Sequence, residues 1–497
     1  MTGAVRTAPR GRLAGRSEVR SSRAVAAITA AFATAAPAML VVAWLAAKAA
    51  DRPMTMDESF TVLTTTSSWT DFVSGLSLDP GMGVYYAVVR IAHLATGAGL
   101  AGLRTISTLS ILAVVLGIGH LAASRRRRAF GAMATVAVAV TPMVREATID
   151  ARAAALGAAV AIWLAIAFDE TARRAPADRG WFRALLVASV LAAFVHPSTM
   201  FVGVVGLVSL LRRTRRPSFP EWARTARREL LAAAIVVVGG VAIATLQSGA
   251  AEAVATSEFG GIRMTLAQLP GGRALAGAAL LLTCATLLAG LAFDHERPLR
   301  AFGGGALMWF AACLAALPVR NLFVPRYFVA AAVLVLATVI VAEIEAWNRV
   351  LVTSLLGIAL FGSLERLDTQ YGYGSGWCPL AHELADETGS GDRVVFASSV
   401  YASAIRACGG GDLSASIGDA DALPAGIASA TPRTLWTAGS IDPDRYYELI
   451  LGARTHVVWI PGVDTAAGAA IDELMRHGAV CTTRSPDGIA LTSCAAG

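Results

Sequence analysis

The stretch Thr55-Met56-Asp57-Glu58-Ser59-Phe60 sets two adjacent carboxylates just after the first long apolar run of the chain. At the end of a membrane helix such groups are costly to desolvate, so they stay in water or meet a partner. Side by side they can shift one another's titration or hold a divalent cation. The plainer alternative is a solvated loop that opens a helix, with Asp57 or Glu58 near the N-terminus of its dipole. Further along, Asp150, Arg152, His196 and Arg326 stand at the edges of other apolar blocks, where charges usually pair.

These residues need elements to hold them. The chain has 497 residues, 55% hydrophobic and 15% charged, with a net charge of +7. Its apolar residues come in blocks of roughly 15 to 25, the length that crosses a bilayer as helix. The expected class is a polytopic α-helical membrane protein. Arginines cluster between the blocks, as topology selection requires, and the positive charge calls for no nucleic acid. Residues 1–23 carry Arg6, Arg10, Arg12, Arg16, Arg20 and Arg23 and read as a disordered cytoplasmic basic tail. The run from Ala24 to Ala50 then crosses outward. A cleaved signal peptide competes, since Ala47-Lys48-Ala49 resembles a cleavage site, but the apolar stretch is long enough to be a retained span.

Further crossings are expected near Arg104–Ala123, Ala129–Val144, Ala151–Phe168, Ala184–Val195, Thr199–Leu211, Leu230–Leu246, Ala274–Phe293, Ala301–Leu317, Phe328–Val341 and Val350–Phe361. With about eleven crossings, every dense basic cluster falls on the side of the N-terminus. The membrane domain is then 24–364, and residues 365–497 lie outside the cytoplasm. This requires Val84–Thr96, which holds Arg90 and His93, to lie in the interface without spanning. The outer loop 51–103 is accordingly long and structured. Its first helix starts at Asp57. A second is signalled by Ser68-Trp69-Thr70-Asp71, a capping-box-like start, with Trp69, Phe72, Val73 and Leu76 as its apolar face. A third opens at Val84-Tyr85-Tyr86 after the turn Leu78–Gly83.

The C-terminal segment reads as a small α/β domain. Strands are expected at Arg393–Ala397 and His456–Ile460, a helix at Ala467–Arg476, and a hairpin of Val480–Thr483 and Ile489–Thr492 around Asp487-Gly488. Gly409–Ala430 reads as a long loop, and no Gly-rich phosphate loop follows the central strands. Cys378, Cys408, Cys481 and Cys494 allow up to two disulfides, whereas Cys284 and Cys313 read as buried packing residues.

In order along the chain, these motifs resemble the GT-C superfamily of glycosyltransferases. More narrowly they resemble its polyprenyl-phosphate-sugar-dependent branch, the protein O-mannosyltransferase and aminoarabinose transferase relatives. Asp57-Glu58 resembles their outer-loop acidic motif, and Ser67–Phe72 their "sw.d.l" stretch. Asp79–Tyr86 stands where they carry "PPLYY", and Leu103–Ser107 where they carry "lRl.S". Asp150–Leu156 resembles "EARPYAL", His196 stands where "HY" often occurs, and Pro325-Arg326-Tyr327 resembles "pRY". The departures are Gly81 and Gly83 for the second proline and leucine, Ala154 for the tyrosine of "RPY", and Asp79 for a lysine.

The resemblance implies an inverting transferase that moves a sugar from a polyprenyl-phosphate donor to a cell-envelope acceptor. Asp57 would be the base, and Glu58 would orient it or the sugar. Arg152 and Arg326 are the cationic candidates for the donor phosphate, since guanidinium suits phosphate oxygens. The alternative for Arg152 is pairing with Asp150 or Glu146. Asp150 is a second site acid or a partner of Arg145, and His196 a site residue or a satisfied buried histidine. Tyr85 and Tyr86 are sugar contacts or interface-belt aromatics, and Arg104 would snorkel. No cofactor is required, while a divalent cation at the acidic pair is left open. The implied partners are the lipid-linked donor, a glycan, lipid or protein acceptor, and membrane lipid. Two other classes compete. A transporter of a lipid-linked precursor would place ionisable groups at the midplane in two related halves, and no halves match here. A scaffold with an outer binding domain would leave the structured loop unexplained.

Overall fold

The computed structural model describes residues 11–49, 52, 54–66, 68–78, 82–97, 99–174, 179–214, 223–246, 262–269, 298–316, 325–341, 377–387, 393–396, 405, 408, 454–459, 465–485 and 489–495. Helix α1 spans Gly11–Ala49. It is already helical from Gly11, where a disordered tail is expected. A long apolar helix extends into flanking residues without a new nucleation cost. Three short helices follow: α2 (Met56–Thr66), α3 (Trp69–Leu78) and α4 (Gly83–Thr96). Next come α5 (Leu100–Ser124), α6 (Arg128–Val140), α7 (Pro142–Ile149) and α8 (Ala153–Arg174). A 3-10 turn at Pro197–Thr199 joins α9 (Arg179–Ala193) to α10 (Met200–Thr214). Beyond α11 (Ala223–Leu246) lie α12 (Ile262–Gln268) and α13 (Pro298–Ala316). A second 3-10 turn, Pro325–Phe328, leads into α14 (Val329–Val341).

Among the described residues, α1, α5, α8 and α13 are long and apolar enough to cross a membrane, which is the signature of a membrane protein. The crossing expected at Ala129–Val144 is broken: α6 and α7 meet at an angle of 66°. Pro142 stands at the first turn of α7, where its missing N–H costs nothing, but it cannot continue α6. The expected crossings at Ala274–Phe293 and Val350–Phe361 lie outside the described residues. Helices α1, α5, α6, α8, α13 and α14 share one large apolar core. Small residues allow the close approaches. A Cβ on Gly119 of α5 would meet the Ala31 carbonyl of α1 at 2.9 Å, and one on Gly203 of α10 the Ser189 carbonyl of α9 at 2.6 Å.

These three helices are ordered by a core of their own. Phe72, Tyr85, Tyr86, Val89 and Leu103 pack with Ala151 and Ala153. Arg90 is buried in α4 and donates to the Thr65 carbonyl at the end of α2. Its guanidinium lies over Trp69 and Phe72 at 5.2 and 5.5 Å, which ties α3 to the same helix. With 14 residues, α4 is about 21 Å long, too short to span. The expected apolar face of α3 divides: Phe72 is buried, while Trp69 (61%) and Val73 (59%) stay exposed.

In the C-terminal segment, strands β1 (Arg393–Phe396), β2 (Thr455–Trp459), β3 (Val480–Arg484) and β4 (Ala490–Ala495) form one sheet in the order β1-β2-β4-β3. Strands β1 and β2 pair parallel, and the other pairs antiparallel. Helix α15 (Trp377–Glu387), which the sequence reading leaves out, packs Trp377, Leu380 and Leu384 on Val394, Phe396 and Val458. Helix α16 spans Thr465–Arg476. Disulfides join Cys378 to Cys408 and Cys481 to Cys494.

Candidate active site

The site gathers at one end of the helices, where α2, α4, α5 and α8 begin and α7 ends. Its corner is a reciprocal cap at the start of α2. The Thr55 hydroxyl accepts from Glu58 N (3.2 Å), and Glu58 Oε2 accepts from Thr55 N (2.9 Å). Sequence reasoning passed over this capping box, although Thr55-x-x-Glu58 spells it. Arg104, at the start of α5, then donates from Nε to Glu58 Oε1 and from Nη2 to Oε2, each at 2.7 Å. It does not snorkel, because a carboxylate with no exposed surface offers it a bidentate partner. The same Glu58 Oε1 accepts from Ala151 N at 3.0 Å. Burial pushes this carboxyl up, but the bonds and charge of Arg104 and the two amides outweigh burial and hold it below the usual carboxylate range.

Glu58 is thus fully engaged with protein. Its carboxylate ties the turn that carries Asp57 to the residue preceding Arg152. Asp57 is the second residue of α2; its side chain lies outside what the structure describes. Arg152 stands half-buried between α7 and α8, its N–H bonded to the Asp150 carbonyl at 2.8 Å. Asp150 pairs with Arg52 at 2.8 Å, a partner the sequence does not suggest. Arg52 also offers its carbonyl to Arg104 Nη1 at 2.6 Å. No local sequence signal marks these partners, which lie far apart in the chain.

His196 sits in the turn between α9 and α10. Its Nδ1 meets Ser198 Oγ at 2.7 Å, and Val84 N bonds to the carbonyl of nearby Phe194 at 3.1 Å, so this turn also anchors the start of α4. The ring lies 5.4 Å from that of Tyr327. Burial first, then the charges of Arg326 and Arg152, push the imidazole down to about 3, so it is neutral at physiological pH. That shift sets both arginines within electrostatic reach of one histidine. Arg326 is half-buried beside Tyr327, whose carbonyl accepts from Trp309 Nε1 at 3.2 Å.

Tyr85 and Tyr86 are enclosed, each with no exposed surface. This corrects the expectation of ring surface turned to a sugar or to the membrane interface: Phe72, Leu103 and Ala151 cover them. Burial raises the Tyr85 phenol well above its ordinary value, despite Arg152 nearby. Among the described residues, no group of three or more His, Cys, Asp or Glu side chains converges as metal ligands. At the opposite end of the bundle, Arg125 closing α5 meets Asp169 of α8 at 3.4 Å, and Arg213 of α10 donates to the Phe168 carbonyl at 2.8 Å.

No protein-family model and no curated protein match the sequence. Among solved structures, the chain is similar to ArnT of Cupriavidus metallidurans bound to undecaprenyl phosphate, at 16% identity and a TM-score of 0.52, covering 94% of this chain and 98% of that one. The apo state of ArnT gives 14% identity and 0.49 over 92% and 97% of the two chains. An oligosaccharyltransferase of Archaeoglobus fulgidus in the apo form gives 11% and 0.46 over 91% and 74%. On the first of these likenesses, the chain shares the fold of ArnT over nearly its whole length.

Proposed function

We propose that this protein is an inverting glycosyltransferase that moves a sugar from a polyprenyl-phosphate donor to a hydroxyl of a cell-envelope acceptor at the outer face of the membrane. One observation carries the reading: the Glu58 carboxylate bonds Arg104 and Ala151 N together, so the turn bearing Asp57 is fastened beside Arg152. In the reaction, Asp57 takes the proton of the acceptor hydroxyl and the freed oxygen attacks the anomeric carbon. The bond to the phosphate breaks on the opposite face, and Arg152 and Arg326 stabilise the leaving phosphate. Glu58 and Asp150 act through their arginine partners to hold the corner. His196 is a neutral partner beside both arginines, and Tyr85 and Tyr86 support the site by packing. A divalent cation at Asp57 is compatible with the reading, which routes no step through it.

The likeness to a transferase solved with undecaprenyl phosphate supports the donor class. The clustering of the basic ends of α5 and α10 at the far end of the bundle supports a cytoplasmic N-terminus. Two disulfides support an extracytoplasmic domain over residues 365–497, beside a membrane domain over 24–364. The test is turnover of purified protein with a panel of polyprenyl-phosphate sugars, read as release of polyprenyl phosphate. Asp57→Asn should lower the rate by about 10²- to 10⁴-fold. Full activity in that variant would remove the proposed base.

A further inference from the structure

The turn after His196 leaves its imidazole a single tautomer. Ser198 N donates to Nδ1 at 3.2 Å, and the Ser198 hydroxyl lies 2.7 Å from the same atom. A backbone N–H can only donate, so Nδ1 carries the lone pair and the neutral ring carries its proton on Nε2. Among the described residues, Nε2 has no hydrogen-bond partner. It also keeps some exposed surface, unlike the fully enclosed Arg152 Nε. Capping the turn does not account for the residue, since Asn or Ser would cap it as well with less bulk. Helix α8 and the Pro325–Phe328 turn both meet this turn. In the second turn of α8, a Cβ on Gly157 would come within 3.5 Å of His196 Cβ and 2.8 Å of Thr199 Cγ2, so the glycine lets α8 lie against it. Arg152 immediately precedes that helix. The Tyr327 ring lies 5.4 Å from the imidazole, with Arg326 next to it in the chain.

The charges of both arginines reach the ring, yet neither can satisfy it. A guanidinium has no acceptor for Nε2–H, and Nε2–H offers no lone pair to a guanidinium. The three side chains thus bring N–H donors together from three elements, a set that suits an oxygen-rich anion. Each guanidinium has several N–H groups, so a protein partner elsewhere does not exhaust it. We infer that His196 donates its Nε2–H to the phosphate of the lipid-linked donor, beside Arg152 and Arg326, and that the Ser198 amide fixes the tautomer this requires. The inference rests on the function proposed above, which sets that phosphate against the two arginines. A neutral donor suits the place, because it adds a directed bond without a third cation to desolvate. As the bond to the anomeric carbon breaks, negative charge builds on the phosphate oxygens and this hydrogen bond strengthens. The proton stays on Nε2 throughout.

The test compares binding of polyprenyl phosphate and of uncharged polyprenol to the full chain in detergent. His196→Asn keeps an acceptor for Ser198 N, since Asn is a preferred cap, but has no nitrogen at the Nε2 position. It should bind polyprenyl phosphate about 10- to 100-fold more weakly than wild type and bind polyprenol equally well. His196→Gln, whose amide N–H reaches the Nε2 position, should bind polyprenyl phosphate more tightly than His196→Asn. Nitrogen NMR of labelled wild type should show His196 protonated on Nε2 and bare on Nδ1. Wild-type affinity of His196→Asn for polyprenyl phosphate, with Arg326→Ala weakened, would overturn the histidine bond while leaving the proposed function standing. An equal loss of polyprenol binding in His196→Asn would overturn it too, by showing a role in the fold and not at the phosphate. A proton on Nδ1 would overturn the tautomer and with it the bond. Failure of wild type to prefer polyprenyl phosphate over polyprenol would overturn the proposed donor class and this inference together.

Discussion

The Glu58 carboxylate has four donors aimed at it and no exposed surface, so its worth is that of a buried pair with every lone pair used. Removing one partner strands the other. Glu58→Ala should destabilise the protein by about 3–5 kcal/mol, and Arg104→Lys should fail to replace the bidentate fork. Chemical denaturation checks both, and a loss within experimental error for Glu58→Ala would contradict the structural role. His196 gives a pH signature of separate origin. Its folded value of about 3 lies far below the ordinary 6.5 or so, and the unfolded chain therefore binds the proton first as pH falls. Its contribution is complete above about pH 6.5 and is lost progressively toward about pH 3. Glu58, also held low, loses its contribution only below the ordinary carboxylate range. Between pH 6.5 and 5 the decline in melting temperature should thus vanish in His196→Asn and persist in Glu58→Gln. The acidic pair was legible in the sequence as a place of interest, but the use of Glu58 was not. Its partner lies 46 residues away, and nothing near Arg104 distinguishes a snorkelling arginine from a buried one.

At the scale of elements, apolar blocks announce spans because each must satisfy its backbone internally in lipid. The short helices α2, α3 and α4 were legible through their caps and turns. The break between α6 and α7 was written in Thr141-Pro142, yet a run of apolar residues continues across it and reads as one crossing. That break matters for the site, because it turns α7 and brings Glu146 and Asp150 to the arginines. The start of α15 hides behind Pro379, which is tolerated in a first turn. Close packing of α9 on α10 sets the His196 turn between them. A methyl group on Gly203 would press on the Ser189 carbonyl at 2.6 Å, backbone that has little room to yield. Gly203→Ala should cost about 1–3 kcal/mol by overpacking and lower activity by displacing the turn. An unchanged melting temperature would show that the two helices sit further apart.

For the whole molecule, the order of the weak motifs carried more than any one of them. Seven short resemblances follow one another along the chain, and the likeness in fold extends over nearly the full chain despite 16% identity. Identity this low preserves the scaffold that places a site and leaves its residues to be argued from geometry. Here the Glu58 bond to Ala151 N ties the Asp57 turn beside Arg152, and the charges of Arg152 and Arg326 both reach His196. If they serve one donor, binding and chemistry should separate cleanly between them. The direct measurement is donor affinity and single-turnover release of polyprenyl phosphate in the same preparations of wild type, Asp57→Asn and Arg326→Ala. Asp57→Asn should bind donor as wild type does and release polyprenyl phosphate about 10²- to 10⁴-fold more slowly, while Arg326→Ala should bind it roughly 10- to 100-fold more weakly. Wild-type binding in Arg326→Ala together with wild-type release in Asp57→Asn would contradict a shared site.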